Sequence, residues 1–276
     1  MMTTTQRYLF DITGYLHLKN ALSPEELSAA REATQHYIDT PHDELSPGFG
    51  VDGKRHLHGF AFDKSLEALV LHPKTWPIVM ELTNGKPRFS SGTLQVDFPG
   101  VDGGGLHCAR DDFGWESCRY ETRNGRIYCD SFVIFPYFDD VFPGDGGLLV
   151  VPGSHKAAFD RPEELFNKGD IKDASNLPEG VINLTPRAGD VLIISELLTH
   201  GILPWTPPDR IRRILVLRYA PQHSQSGGGL PEAVKERLSP ETIELMEPAH
   251  YTHTKEIAKR NVVTLSEGPR KHLGLA

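Results

Sequence analysis

Two histidines stand out by their setting: His107 follows a glycine-rich turn after a strand-like segment, and His200 follows the apolar run Val191–Ser195 and a short ELLT segment. An imidazole can ligate a metal or move a proton, but it also packs well at intermediate burial. With 13 histidines in the chain, two of them prove little alone. They lie too far apart for one helix face, so any shared site depends on a fold that returns the chain to the same place. His56 and His58 alternate along the loop KRHLHGF and are candidates for the rim of such a site. The acidic pair Asp111 and Asp112 follows His107 closely and reads in the first place as a solvated turn. The cysteines are Cys108, Cys118 and Cys129; the odd count and the lack of a CxxC pair argue against a disulfide framework or a structural zinc site. Cys108 neighbours His107, and adjacent residues on an extended segment face opposite ways, so it reads as a packing residue.

The elements that must hold these residues are mainly β. The chain of 276 residues contains 26 glycines and 21 prolines, a turn-rich composition. Ser23-Pro24-Glu25-Glu26 carries a capping box and an early proline, and opens a helix with a stripe of Leu27, Ala30, Ala33 and Tyr37. Gly14–Leu22 predicts a short strand before it. Residues 39–63 predict a loop, and Leu66–Leu82 a helix broken at Pro73 and Pro77. From residue 88 onwards strands predominate: Arg88–Phe98, Tyr128–Tyr137, Leu148–Val151, Val181–Leu184, Val191–Ser195 and Arg212–Tyr219, separated by turns rich in Pro and Gly. Pro231–Lys259 returns to helical spacing, with Leu238, Ile243 and Met246 as core contacts. The expectation is one domain over 1–276, with a β core of about 88–220 and helices before and after it.

A formal net charge of −8 argues against nucleic acid as the main partner. No stretch reaches the length of a membrane span, and the N-terminus lacks the basic and apolar regions of a secretory signal, so the expected compartment is the cytoplasm.

The segments GGGLHCARDD, FPGDGGLLVVPGSHK, RAGDVLIISELLTHGILPW and RIRRILVLRYAP together resemble the phytanoyl-CoA dioxygenase-like family of iron(II)/2-oxoglutarate-dependent oxygenases, over roughly residues 5–222. The resemblance implies a double-stranded β-helix, a cupin-like jelly roll, with iron at one end. It implies His107 and His200 as metal ligands and Arg212, flanked by Arg210 and Arg213, as the binder of the distal carboxylate of 2-oxoglutarate. The resemblance further puts Gln95 on the strand that would line the cosubstrate pocket and implies that His155 in PGSHK is a structural turn residue. The chemistry is consistent: two imidazoles suit iron(II), and a planar guanidinium can grip a carboxylate through two hydrogen bonds. The expected partners are a small-molecule substrate and O2. Trp115, Arg119 and Tyr120 lie in an insertion-like stretch suited to substrate contacts.

One departure matters. The family pattern is His-x-Asp, and here it reads His107-Cys108-Ala109. Ala109 has no metal-binding atom. The sequence thereby resembles the iron/2-oxoglutarate halogenases, in which a small residue leaves room for chloride or bromide on the metal. Other readings are a hydroxylase with Asp111 or Asp112 as a substitute ligand, a centre in which water fills the place, and a ligand-binding jelly roll that has lost metal chemistry. A cupin-like metalloenzyme that does not use 2-oxoglutarate is a further alternative.

Overall fold

The computed structural model describes residues 1–113, 118–165, 171–222 and 229–249. Strands in chain order are β1 (Tyr15–Leu18), β2 (Val51–Asp52), β3 (Arg55–His56), β4 (Pro87–Asp97), β5 (Gly104–His107), β6 (Tyr120–Arg123), β7 (Arg126–Cys129), β8 (Phe132–Pro136), β9 (Gly147–Val150), β10 (Ile182–Asn183), β11 (Val191–Ser195), β12 (His200–Leu203) and β13 (Arg212–Pro221). They form a seven-stranded sheet ordered β1-β11-β8-β13-β4-β3-β2, a four-stranded sheet ordered β10-β9-β12-β5, and the separate hairpin β6-β7. Every neighbouring pair is antiparallel.

Period-two alternation separates two cores. Val133, Phe135, Leu192, Ile194, Ile214 and Val216 of the large sheet point inward and meet Leu148 and Val150 of the small one. Their chain neighbours Phe132, Ile134, Val191, Ile193, Leu215 and Leu217 point outward, into a second cluster with Ala30, Ala33, Tyr37, Ile78 and Leu82. Those last residues belong to α2 (Pro24–Asp39), which follows α1 (Thr4–Thr13), and to α4 (Trp76–Leu82), which follows the single turn α3 (Lys64–Glu67). The result is a jelly roll with helices on one face of the large sheet. The capping box holds: the Glu26 amide donates to Ser23 Oγ, and the Ser23 amide donates to Glu26 Oε2.

Several expectations need correction. Arg88–Phe98, Val191–Ser195 and Arg212–Tyr219 form strands, but Tyr128–Tyr137 divides into β7 and β8. The glycine-rich turn expected before His107 contributes Gly104 and Gly105, the first two residues of β5. The predicted loop 39–63 contains the small hairpin β2-β3, which docks on β4. The C-terminal helical spacing gives α6 (Glu232–Lys235) and α7 (Pro240–Met246), after the short α5 (Ala109–Phe113); the part beyond residue 249 lies outside the described residues.

Candidate active site

His107 and His200 are direct cross-strand partners in β5 and β12, and His200 is in turn opposite Val150 of β9. Because Val150 belongs to the inner core, register puts both imidazoles on that face of the small sheet, with His200 half-buried and His107 exposed. Their ring centroids lie 4.3 Å apart at an interplanar angle of 54°. In each ring Nδ1 sits against a main-chain carbonyl: Gly105 O at 2.9 Å from His107, and Leu198 O at 2.7 Å from His200. A carbonyl only accepts, so Nδ1 carries a proton in both rings, and in the neutral form of each ring the lone pair falls on Nε2. This is the tautomer a metal-binding histidine needs, fixed by the protein's own backbone. Burial and the neighbouring His107 hold the His200 pKa below the ordinary imidazole range, which keeps it neutral. Glycine makes the pairing possible, since a Cβ at Gly201 would stand 2.9 Å from Gly104 O on the facing strand.

Deeper in the barrel, Arg212 and Ile214 of β13 pair with Asp97 and Gln95 of β4. Ile214 lies in the inner core, so all four share that face. Arg212 Nε and Nη2 both donate to Asp97 Oδ2, at 3.0 and 2.6 Å. Gln95 Nε2 donates to the same carboxylate at 3.2 and 3.0 Å, and Lys54 Nζ lies 3.6 Å from Asp97 Oδ1. Side-chain exposures of 1% for Arg212 and 2% for Asp97 make this a desolvated ion pair. Arg212 Nη1 is buried and has no hydrogen-bond acceptor. It occupies the space above Gly147, where a Cβ would lie 2.5 Å from it. Gly147 also has φ 94°, so the PGDGG turn is glycine there for both space and backbone conformation. The Trp205 ring centroid lies 5.3 Å from Arg212 Cζ, and the Tyr137 hydroxyl is pushed up to about 12 by burial in the same interior. The flanking arginines are committed elsewhere: Arg210 to Asp145 at 2.6 Å, and Arg213 to Asp139 at 2.8 Å.

Ala109 begins α5, and its amide donates to Glu196 O at 2.7 Å. Asp111 does not join the imidazoles. Its Oδ2 accepts from the Cys108 amide at 2.9 Å and from Arg161 Nη2 at 2.6 Å. Burial pushes its pKa upward, but those two donors more than offset this and hold it below the usual range. The Asp112 side chain lies outside the described residues, as does Trp115. Among the described residues, no group of three or more His, Cys, Asp or Glu side chains is arranged to hold a metal. Among the described residues, the donors that could hold a metal at this place are therefore the two imidazoles.

Other candidates lie elsewhere. His56 is buried and packs edge-on against Tyr37, 5.0 Å between centroids, in the helical layer rather than at the barrel mouth. His58 takes a left-handed turn at φ 54° and lines a separate cavity of about 480 Å³ with Arg88 and Ser91. Tyr120, expected as a substrate contact, donates instead to Asp11 Oδ1 at 2.9 Å and packs edge-on against His155. Arg119 is half exposed and pairs with Asp130 at 3.5 Å. His155 is buried and its Nε2 lies 3.1 Å from Asp11 O, which docks α1 on the PGSH turn. Cys108 is buried away from the imidazole face, and desolvation raises its thiol pKa. Asp97, Lys54 and Glu196 were not singled out from the sequence. The available signal for Asp97 was its alternation with Gln95 around the apolar Leu94 and Val96, which marks an inward carboxylate in need of a partner.

A jelly roll with an imidazole pair at one end and a buried arginine further in is the architecture of the iron(II)/2-oxoglutarate-dependent oxygenases. The chain belongs to the phytanoyl-CoA dioxygenase family, whose model matches residues 10–213, and it is an enzyme of that superfamily. Among solved structures, HygX from Streptomyces hygroscopicus with nickel and 2-oxoglutarate bound superposes with a TM-score of 0.67 at 22% identity, covering 93% of this chain and 98% of that one. HygX with nickel, 2-oxoglutarate and hygromycin B bound gives a TM-score of 0.62 at 24% identity, covering 80% of this chain and 88% of that one. SnoK, a non-heme α-ketoglutarate-dependent carbocyclase from nogalamycin biosynthesis, gives 0.59 at 20% identity, covering 90% of this chain and 94% of that one. These likenesses establish the shared fold. No curated protein matches the sequence. No helix among the described residues is long and apolar enough to cross a membrane.

Proposed function

We propose that the protein is an iron(II)- and 2-oxoglutarate-dependent oxidoreductase that functionalises a C–H bond of a small molecule, with Ala109 leaving a coordination position open to a halide. The observation that carries the metal assignment is the imidazole pair, with Nδ1 spent on backbone carbonyls and Nε2 free in both rings. His107 and His200 would hold the metal. The Arg212 guanidinium would bind the distal carboxylate of the cosubstrate, with Gln95 and Lys54 beside it. The unsatisfied Nη1 supports this, because a buried donor left without an acceptor costs about 1–3 kcal/mol and is relieved by a ligand oxygen. When bound, iron with 2-oxoglutarate supplies O2 activation and C–H bond cleavage.

The protein's contribution is arrangement. The β5-β12 register keeps both rings on one face, and the carbonyls of Gly105 and Leu198 hold their protons away from it. Asp111 is tied to Arg161 and to the Cys108 amide, so it braces the His107–Ala109 segment rather than filling the place a carboxylate ligand takes in the family pattern. This favours an external ligand at Ala109, halide or water, over a substitute Asp111. The test is anaerobic loading with iron(II), 2-oxoglutarate and chloride, followed by a crystal structure with the metal and chloride identified by anomalous scattering. Chloride at bonding distance from iron supports halogenation. A carboxylate oxygen of Asp111 or Asp112 in that place returns the chain to the hydroxylases, and a protein that takes up no iron refutes the enzymatic reading.

A further inference from the structure

The arginine that awaits a carboxylate already has one. Asp97 takes the Nε and Nη2 side of the Arg212 guanidinium through a single oxygen and leaves Nη1 alone. Four donor atoms hold or flank the Asp97 carboxylate, from Arg212, Gln95 and Lys54, and all belong to the protein. Gln95 reaches both of its oxygens. Nothing about this carboxylate depends on a ligand, and swinging it aside would strand a charge that is 2% exposed. The pair is neutral as a unit. A second carboxylate entering this interior meets a guanidinium whose charge is already balanced by Asp97, with the partly exposed Lys54 beside the pair.

We propose that Asp97 is a resident counter-ion that shares Arg212 with the cosubstrate, keeps the arginine buried and charged in the empty enzyme, and thereby sets a deliberately weak affinity for the dicarboxylate. This rests on Arg212 being the cosubstrate arginine and deepens that reading: Asp97 determines how strongly 2-oxoglutarate is held, and acts through Arg212 rather than by touching it. The opposing charge sits on the same guanidinium that the ligand would use, so its removal is expected to strengthen binding by about an order of magnitude or more.

The experiment is calorimetric titration of zinc(II)-loaded protein with 2-oxoglutarate, and in parallel with pyruvate, which has the keto-acid end but no distal carboxylate. In Asp97→Asn, the 2-oxoglutarate Kd is expected to fall about tenfold or more while the pyruvate Kd stays put. The ligand-free melting temperature falls, and the rise produced by 2-oxoglutarate grows. An unchanged or weaker Kd for 2-oxoglutarate, or an equal gain for pyruvate, overturns the proposal. Should Asp97→Asn not fold, the wild-type chain decides: the Arg212 Nε–H nuclear magnetic resonance signal, identified by its loss in Arg212→Lys, must remain protected from solvent exchange at saturating 2-oxoglutarate. Loss of that protection means Asp97 lets go, and sharing is refuted. A wild-type protein that binds zinc but not 2-oxoglutarate removes the cosubstrate reading itself, an outcome distinct from wild-type binding that Asp97→Asn leaves unaltered.

Discussion

At the deep end of the barrel, charge is matched by charge: Arg212, Asp97, Gln95 and Lys54 meet within one buried cluster, and a single guanidinium nitrogen is left over. At the other end, two imidazoles share one face, each with its Nδ1 tied to a main-chain carbonyl. The first region is held by interactions that stabilise the protein whether or not anything binds. The second is held by main-chain register, with its chemical capacity kept free. On the proposed function, gripping a cosubstrate and admitting a metal would be duties divided between two sheets: the large sheet carries the ion pair, and the small one the imidazoles.

Breaking the comparison at the open end has the largest effect. His107→Ala or His200→Ala should weaken metal binding by more than two orders of magnitude, since loss of even an outer-shell partner costs roughly 10–100-fold. Succinate formation from 2-oxoglutarate should disappear with it, while the thermal transition moves little. Breaking the closed end reverses the pattern. Arg212→Met leaves Asp97 buried without its partner, so chemical denaturation should register a loss of about 3–5 kcal/mol. Zinc uptake should persist in whatever fraction folds. Ala109→Asp sharpens the open end: it restores a carboxylate, and product analysis should show a shift toward hydroxylation and loss of any chloride dependence. Undiminished halogenation in that variant would show that the vacancy at Ala109 is not what selects the product.

Smaller effects come from the supports. His155 is buried and neutral, with its pKa brought down to about 4 by burial and by Lys156. A base depressed below its unfolded value near 6.5 contributes stability at neutral pH, and that contribution is lost as pH falls from there toward the folded value. Denaturation midpoints should therefore decline between about pH 6.5 and 4, and His155→Gln should flatten that part of the profile. Asp111→Asn should have the least effect, lowering stability by about 1 kcal/mol or less through the partly exposed Arg161 pair and leaving metal affinity intact. A collapse of metal binding in Asp111→Asn would instead make it a ligand.

Much of this was legible in the residues, for identifiable reasons. Ser23 with Glu26 is a local device, and local devices read directly; the same logic covers Thr3 and Gln6, whose matching capping box opens α1 and was passed over. Val191–Ser195 was visible because a buried strand is a continuous apolar run. Strands β5 and β12 were not, because Gly103–Gly105 and Gly201 have poor strand propensity. Their pairing is made by tertiary approach, and at Gly103 and Gly201 it brings backbone too close for a Cβ. The histidines were found by resemblance, but that each ring's tautomer is set by the carbonyl two residues before it could be seen only in coordinates. Alternation with Gln95 marks Asp97 as inward-facing, but its charged partner Arg212 lies across the sheet, on β13, and is seen only in coordinates.

Strand β5 is the outermost of its sheet, four residues long, and fastened on one side only, to β12, through an irregular register. His107 stands at its last position. Fraying of this short ribbon would carry one imidazole out of reach of the other, so the lifetime of the ligand pair is tied to the exchange rate of a few peripheral amides. A bound cation would act there as a clasp: it would slow hydrogen exchange over Gly104–His107 and leave the interior strands untouched.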